Sequence, residues 1–217
     1  MNENLESTEY FSSPIYVVQL PELVKDLNKA SDLFIKDAKE KNKKIIKEQE
    51  KKFKKKIGDF GMSHHSTSLI DIPKFKTLQT YVGNRSIEIL EHMGYDLKDH
   101  QILWTEFWVQ EFAEKGGGHH EKHIHYNNHI SGFYFLKCSE KTSFPVFHDP
   151  RPAKIISQLP FKNSNEICLS TDKINYKPRP GTLIMFPAFL EHQFAVDPGI
   201  EPFRFIHFNL QAIIKKI

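Results

Sequence analysis

The stretch "HHEKHIHYNNHISGFYFL", His119 to Leu136, carries five histidines within eleven residues and leads directly into a hydrophobic segment. The segment from Ser131 onward is rich in aromatic residues, which favours a buried β-strand. A globular protein places several imidazoles ahead of a core strand either because they bind a metal ion or because they form a solvated polar edge. The rest of the chain has to decide between these two interpretations.

Strands are predicted throughout the second half of the chain. Short segments dense in Phe, Trp, Thr and Ile recur with turn residues about every ten positions, a spacing typical of a β-sandwich or barrel. The predicted strands are Ile102–Phe112, Ser131–Leu136, Phe144–Phe147, Gly181–Pro187, His192–Val196 and Phe203–Ile213.

Helices are predicted in the first half. Apolar residues at spacings of three, four, seven and eight indicate one helix from Pro21 to Gly58, and a second apolar face indicates another helix from about Lys74 to His92. The β-branched segment Ser13–Pro21, bounded by prolines, is expected at the edge of a sheet.

Length and composition fit one globular domain. The chain has 217 residues, of which 39% are apolar, and a formal charge of +3 that does not by itself demand a polyanionic partner. We predict a single α+β domain over residues 1–217, mostly helical over 1–100 and built from strands over 101–217.

The most strongly charged segment is the lysine-rich run at 36–56, which holds eleven Lys against four acidic residues. We interpret it as a solvated helix face, because it lacks the aromatic or Gly/Arg-rich residues that interleave with lysines in nucleic-acid-binding segments. We therefore expect no nucleic-acid partner.

The location is predicted from the N-terminal segment and from the cysteines. Residues 1–14 contain acidic side chains and no apolar core of the kind found in a secretory signal, and no run of eighteen apolar residues predicts a membrane span. Two cysteines without a CxxC motif favour a reducing compartment. We expect a cytoplasmic protein without membrane contact.

Three histidines are the candidate metal ligands. His123 and His125 are separated by one residue, so both side chains would project to the same face of a strand. His192, the first residue of the strand "HQFAV", could supply a ligand from a second element. Imidazole suits divalent first-row metals. His119 and His129 each lie four residues outside the pair and are interpreted as surface residues.

Arg204 is a candidate for a buried charge. It lies twelve residues after His192 and shares strand phase with Ile206, Phe208 and Leu210. A guanidinium in phase with large apolar residues points to the core side, where it needs a carboxylate partner. That partner is either the carboxylate of a ligand or a structural Asp or Glu.

Read in order, these segments resemble the 2-oxoglutarate- and Fe(II)-dependent oxygenases, and more narrowly a group of them found in bacteria and phages. The group shows H-x-H, SG-x-Y-Y-L, F-x-D-P-R, G-x-L-x-x-F-P, L-x-H and R-x-x-x-F-N. This chain has "HIHYNNHISGFYFL", "FHDPR", "GTLIMFP", "LEH" and "RFIHFN". The resemblance as a whole extends over nearly the whole chain. It implies a double-stranded β-helix, or jelly-roll, with helices packed on one sheet.

The resemblance also implies an iron site that takes 2-oxoglutarate and O2 as well as Fe(II). His123 and His192 match the two iron-binding histidines of the family, and we predict them to be catalytic. The position of the family's carboxylate ligand falls on His125. The third ligand is therefore His125, Asp149 of "FHDPR", or water; we favour His125 and place Asp149 second.

The resemblance assigns further roles. Arg204 would pair with the 5-carboxylate of 2-oxoglutarate, Tyr134 would line the cosubstrate pocket, Ser131 would hydrogen-bond a carboxylate, and Arg151 would contact the substrate. The implied reaction is hydroxylation of a small molecule or of a side chain, with release of succinate and CO2. The alternative is a non-catalytic, cupin-like jelly-roll that binds a metal or ligand. The sequence leaves the substrate, and the formation of a homodimer, open.

Overall fold

The structure, a computed structural model, describes residues 11–151 and 159–215. The N-terminal residues 1–10, which entered the prediction of location, lie outside the described part. The helices are α1 (Val24–Phe53) and α2 (Lys76–His92), each entered through a short 3-10 turn that begins with proline. The strands are β1 (Tyr16–Gln19), β2 (Ser63–His65), β3 (His100–Phe112), β4 (His120–His123), β5 (Ile130–Lys137), β6 (Pro145–His148), β7 (Lys173–Asn175), β8 (Thr182–Pro187), β9 (His192–Phe194) and β10 (Arg204–Ile214).

The strands form two antiparallel sheets. The larger sheet has the order β1-β8-β5-β10-β3-β2, and the smaller has the order β4-β9-β6-β7. β1 lies at an edge of the larger sheet, as its flanking prolines predicted. Long β10 is paired on both sides, with β3 and with β5, and forms the middle of the larger sheet. The predicted α+β class and jelly-roll architecture are confirmed.

The larger sheet is buried on both faces. One face packs against α1 and α2 through aliphatic and aromatic side chains, among them Leu27, Leu78, Val109 and Ile206. The other face meets the smaller sheet through a core made mainly of phenylalanines, among them Phe112, Phe133, Phe135, Phe194 and Phe205. We call these the helix face and the barrel face.

Strand alternation assigns neighbouring residues of β10 to different cores. Phe205 packs in the barrel core, whereas Ile206 packs in the helix core. Gly132 of β5 lies close to both neighbouring strands of its own sheet, because a Cβ at this position would lie 2.4 Å from the Ile184 carbonyl oxygen on β8 and 2.4 Å from Phe208 Cζ on β10. Within the described residues, neither helix has the length and apolar content needed to cross a membrane.

Candidate metal centre

Three histidines converge where the smaller sheet meets the barrel interior. β4 and β9 are antiparallel neighbours, and their register places His123 opposite His192. The sequence analysis predicted His123 and His125 on one face of a strand. β4 ends at His123, however, so His125 lies beyond the strand. The turn nevertheless returns His125 to the site, because its backbone N–H donates to the Ala188 carbonyl at 3.0 Å. One ligand atom from each imidazole lies within 4.8 Å of the other two.

The imidazoles are close enough to share one cation. The Nε2 atoms of His125 and His192 are 3.3 Å apart. The ring centroids of His123 and His192 are 4.5 Å apart, and those of His123 and His125 are 5.0 Å apart. His192 is buried, whereas the other two rings are half-buried, which leaves the site open on one side.

Backbone carbonyls fix the orientation of two of these rings. His192 Nδ1 lies 2.8 Å from the Leu190 carbonyl oxygen, and His123 Nδ1 lies 2.6 Å from that of Glu121. A carbonyl oxygen can only accept, so each Nδ1 carries the proton and each Nε2 keeps its lone pair. This arrangement is typical of metal-binding histidines.

Burial keeps His125 and His192 in the neutral form that binds metals. It lowers the pKa of His192 to about 2 and the pKa of His125 to about 3, because the surroundings solvate an imidazolium poorly; the neighbouring histidines add to the effect. Imidazole nitrogens suit a divalent first-row cation such as Fe(II). The donor chemistry therefore fits the metal that the resemblance implied.

Arg204 is not in this site. Its side chain extends from the helix face of β10, where Nε donates to Glu111 Oε2 at 2.7 Å and Nη1 donates to Asp32 Oδ1 at 2.6 Å and to Ser31 Oγ at 3.1 Å. The predicted cosubstrate role is thereby corrected: the guanidinium is buried, as its phase indicated, but in the helix core. A structural Glu and Asp supply the required carboxylates.

Tyr134 also belongs to the helix face. Its hydroxyl donates to the Leu20 carbonyl at 2.7 Å and its ring is fully buried, so the prediction that it lines the cosubstrate pocket is corrected. Ser131 lies on the barrel face, opposite Asn209 of β10. Its Oγ is buried and has no hydrogen-bond partner in the described part of the chain.

Asp149 and Arg151 lie elsewhere. Asp149 is in neither group of converging metal-ligand atoms found among the described residues. Its Oδ1 accepts from the Arg151 backbone N–H at 3.0 Å, as an Asp in a turn does, and its Oδ2 accepts from Arg151 Nη2 at 2.6 Å. Both residues line a cavity of about 710 Å³ together with His148 and Leu190, and none of the three histidines lines it.

A second group of potential ligands lies beside the first, and the sequence analysis missed it. Glu106 of β3, His207 of β10 and the shared His125 place one ligand atom each within 4.8 Å of the others. The hydrogen bond from His207 lowers the pKa of Glu106 to about 2 despite partial burial, so Glu106 is a carboxylate at neutral pH. The signal for His207 was present in "RFIHFN": it alternates with Arg204 and Ile206, on the opposite face of the strand.

Comparisons with known proteins agree with this fold. Residues 106–208 match the family model described as "Putative 2OG-Fe(II) oxygenase". No curated protein matches the chain.

Two solved structures are similar over most of their length. AviO1 from Streptomyces viridochromogenes Tue57 has a TM-score of 0.59 at 9% identity, with 92% of this chain and 90% of that chain covered. A prolyl-4-hydroxylase from Pseudomonas putida has a TM-score of 0.54 at 8% identity, with 92% and 94% covered. A third, an oxidoreductase of the 2OG-Fe(II) oxygenase family from Burkholderia pseudomallei, matches over 65% of this chain and only 60% of its own length, with a TM-score of 0.45 and 10% identity. At such identities the likeness concerns the fold alone.

Proposed function

We propose that this chain, whose residues 106–208 match the family model described as "Putative 2OG-Fe(II) oxygenase", is a hydroxylase whose cosubstrate is 2-oxoglutarate. In the overall reaction one oxygen atom of O2 enters a C–H bond of the substrate. The other enters succinate, as 2-oxoglutarate loses CO2. The substrate is a small molecule or a side chain of another protein.

The observation that supports the proposal is the convergence of His123, His125 and His192, with one ligand atom of each within 4.8 Å of the other two. The two carbonyl-oriented rings, His123 and His192, would direct Nε2 at the cation, and His125 would complete the set. When bound, Fe(II) supplies the centre at which dioxygen is activated. The protein holds its ligands neutral and in place before the cation arrives.

The binding site that we propose for the cosubstrate differs from the one that the resemblance implied. Among the described residues Arg204 is the only buried Lys or Arg, and it is already paired with Glu111. In the described part of the barrel, therefore, no buried cation is available to a distal carboxylate. Ser131, whose buried hydroxyl has no partner in that part, remains the proposed hydrogen-bonding group on the barrel face.

We also keep Arg151 as a proposed substrate contact, since it lines the cavity of about 710 Å³ next to Asp149. Two predictions remain untested by the structure: that the protein acts in the cytoplasm, and that it binds no nucleic acid.

The test is iron-dependent turnover of the cosubstrate. Anaerobic addition of Fe(II) and 2-oxoglutarate to the metal-free protein is expected to produce a weak visible charge-transfer band, and admission of air is expected to yield succinate. A screen of metabolite extracts and peptides for a mass gain of one oxygen would then identify the substrate. Protein that binds Fe(II) but gives neither the band nor succinate would contradict the proposal.

A second candidate function is a non-catalytic metal-binding jelly-roll module. The position of Arg204 favours it, because a guanidinium tied to Glu111 and Asp32 on the helix face provides nothing for a dicarboxylate in the barrel. The same experiment separates the two functions. The module would bind the cation with unchanged affinity whether or not 2-oxoglutarate is present, whereas an oxygenase would bind the two cooperatively.

A further inference from the structure

We infer that Glu106, His125, His207 and Asn209 form a second site for a divalent first-row cation, which competes with the three-histidine site for His125. This site uses a carboxylate, two imidazoles and an amide oxygen, and it includes none of the other ligands of the first site. The inference does not depend on the proposed function, because it concerns binding of the cation alone.

The spacing of the polar atoms supports the inference. Glu106 Oε2 lies 3.3 Å from His207 Nε2 and 2.8 Å from Asn209 Nδ2, and this amide nitrogen lies 3.0 Å from His125 Nδ1. Ligands about 2.1 Å from a common metal ion are separated by roughly 3.0–3.4 Å in octahedral or tetrahedral coordination. The observed separations thus need only small adjustments.

Asn209 provides an independent observation. Its side chain is fully buried, and its Oδ1 has no hydrogen-bond partner among the described residues, while Nδ2 donates to Glu106 and faces His125. A half-turn of the amide would exchange the two atoms and bring Oδ1 to the carboxylate and the imidazole. That position is unfavourable for an oxygen unless a cation lies between them.

Charge and access also favour a cation. Glu106 brings a carboxylate oxygen to 3.3 Å from Nε2 of the buried His207. The Glu106 side chain is 47% exposed, so it connects the buried His207 and Asn209 with solvent and provides an entry path. Mixed carboxylate and imidazole donors suit Fe(II), Mn(II), Co(II) or Zn(II) rather than Mg(II) or Ca(II).

His125 links the two sites. Its Nε2 faces His192 at 3.3 Å, and its Nδ1 faces Asn209 at 3.0 Å. A neutral imidazole has a lone pair on only one nitrogen, so His125 serves one cation at a time. The two sites are therefore alternatives in the unmodified protein, and the tautomer of His125 determines which one is complete.

The experiment separates the sites by removing the ligands that belong to the first one alone. The double variant His123→Ala/His192→Ala is expected to bind one equivalent of Co(II) in equilibrium dialysis, with the visible absorption of a mixed nitrogen and oxygen ligand set. Adding Glu106→Gln should then weaken Co(II) binding by at least about tenfold. Adding Glu114→Gln, a matched change at an exposed glutamate just beyond β3, should leave it unchanged.

A double variant that keeps its near-UV circular dichroism and binds no Co(II) would overturn the inference, and so would binding that is indifferent to Glu106→Gln. A second measurement covers the case in which the double variant does not fold. The unmodified chain loaded with cadmium-113 is expected to give two NMR signals, of which Glu106→Gln removes one. A single signal that Glu106→Gln leaves unchanged would also overturn the inference.

Discussion

The two faces of the larger sheet treat polar groups in opposite ways. On the helix face, Arg204 is closed off by Glu111 and Asp32, and its hydrogen-bonding groups are directed at protein partners. On the barrel face, burial keeps His125 and His192 neutral, and their Nε2 atoms lie 3.3 Å apart. The first arrangement pairs a charge with carboxylates, whereas the second brings together neutral nitrogen atoms that can bind a cation. A buried polar residue thus indicates a binding site only when its partners leave it able to take a ligand.

The largest expected effect is a loss of stability from a substitution that disrupts the helix face alone. Glu111→Ala leaves the Arg204 guanidinium buried without its main carboxylate and should lower the free energy of unfolding by about 3–5 kcal/mol. Glu111 is only 6% exposed, so solvent screens little of this cost. Co(II) affinity should stay the same.

The matched control for this change is the double variant Arg204→Met/Glu111→Met, which removes both charges and should recover much of the stability in urea unfolding. If Glu111→Ala instead weakened Co(II) binding while leaving stability intact, the two faces would not be independent.

The next largest expected effect is a loss of activity from a substitution on the barrel face. His192→Ala removes the most buried ligand of the three-histidine site and should reduce iron-dependent succinate formation by more than roughly 100-fold. The fold should remain, because the helix core is untouched. His119→Ala is the control: this exposed ring outside the site should leave the rate within experimental error. Equal loss in both variants would count against the site.

The pH dependence of stability should distinguish the faces. Burial lowers the pKa of His120 and of His125 to about 3 and the pKa of His192 to about 2, all from 6.5, so the unfolded chain takes up protons first as the pH falls below 6.5. Each such ring makes the metal-free protein less stable on acidification, by up to ~1.4 kcal/mol per pH unit. Burial would raise the pKa of Glu111, but Lys39 and Arg204 lower it overall from 4.5, so its contribution is lost only below that pH.

Urea unfolding of the metal-free protein at pH 7.0, 5.5 and 4.0 would check this prediction. His120→Gln should reduce the slope of the profile between pH 6.5 and 4.0 by up to ~1.4 kcal/mol per pH unit. A profile that is flat between pH 7.0 and 5.5 in the unmodified chain would contradict it.

The smallest effect concerns Tyr134. Tyr134→Phe removes the hydrogen bond to the Leu20 carbonyl and should cost about 1 kcal/mol of stability. Because the hydroxyl lies on the helix face, succinate formation and 2-oxoglutarate affinity should not change. A rise in the apparent KM for 2-oxoglutarate would restore the cosubstrate role predicted for Tyr134.

Local patterns predicted the elements well. The apolar periodicity indicated α1 and α2, and the aromatic segments indicated the long strands, because these signals depend only on how each element presents side chains to a core. The H-x-H pair and His192 were identified because short spacing and an ordered set of motifs limit where they can lie. Their convergence follows from the pairing of β4 with β9.

The errors came from residues whose partners are distant in the chain. For Arg204 the strand phase indicated burial but not which of the two cores the side chain enters, and Glu111, its partner, lies on another strand. Glu106 belongs to none of the motifs, and His207 and Asn209 were given no role although they lie in "RFIHFN". They meet only because β3 and β10 are paired in register, with Asn209 opposite Glu106 and the imidazole of His125 brought in by a turn.

The order of helices and strands, the aromatic core and the identity of the three histidines were determined by the amino-acid sequence itself, since alternation and spacing are local properties of the chain. Only the tertiary structure decided which core Arg204 enters, that Tyr134 lies outside the site, and that His125 is shared between two sets of ligands. A sheet covered on both sides offers two interiors, and nothing local in a strand tells which of them a given side chain enters.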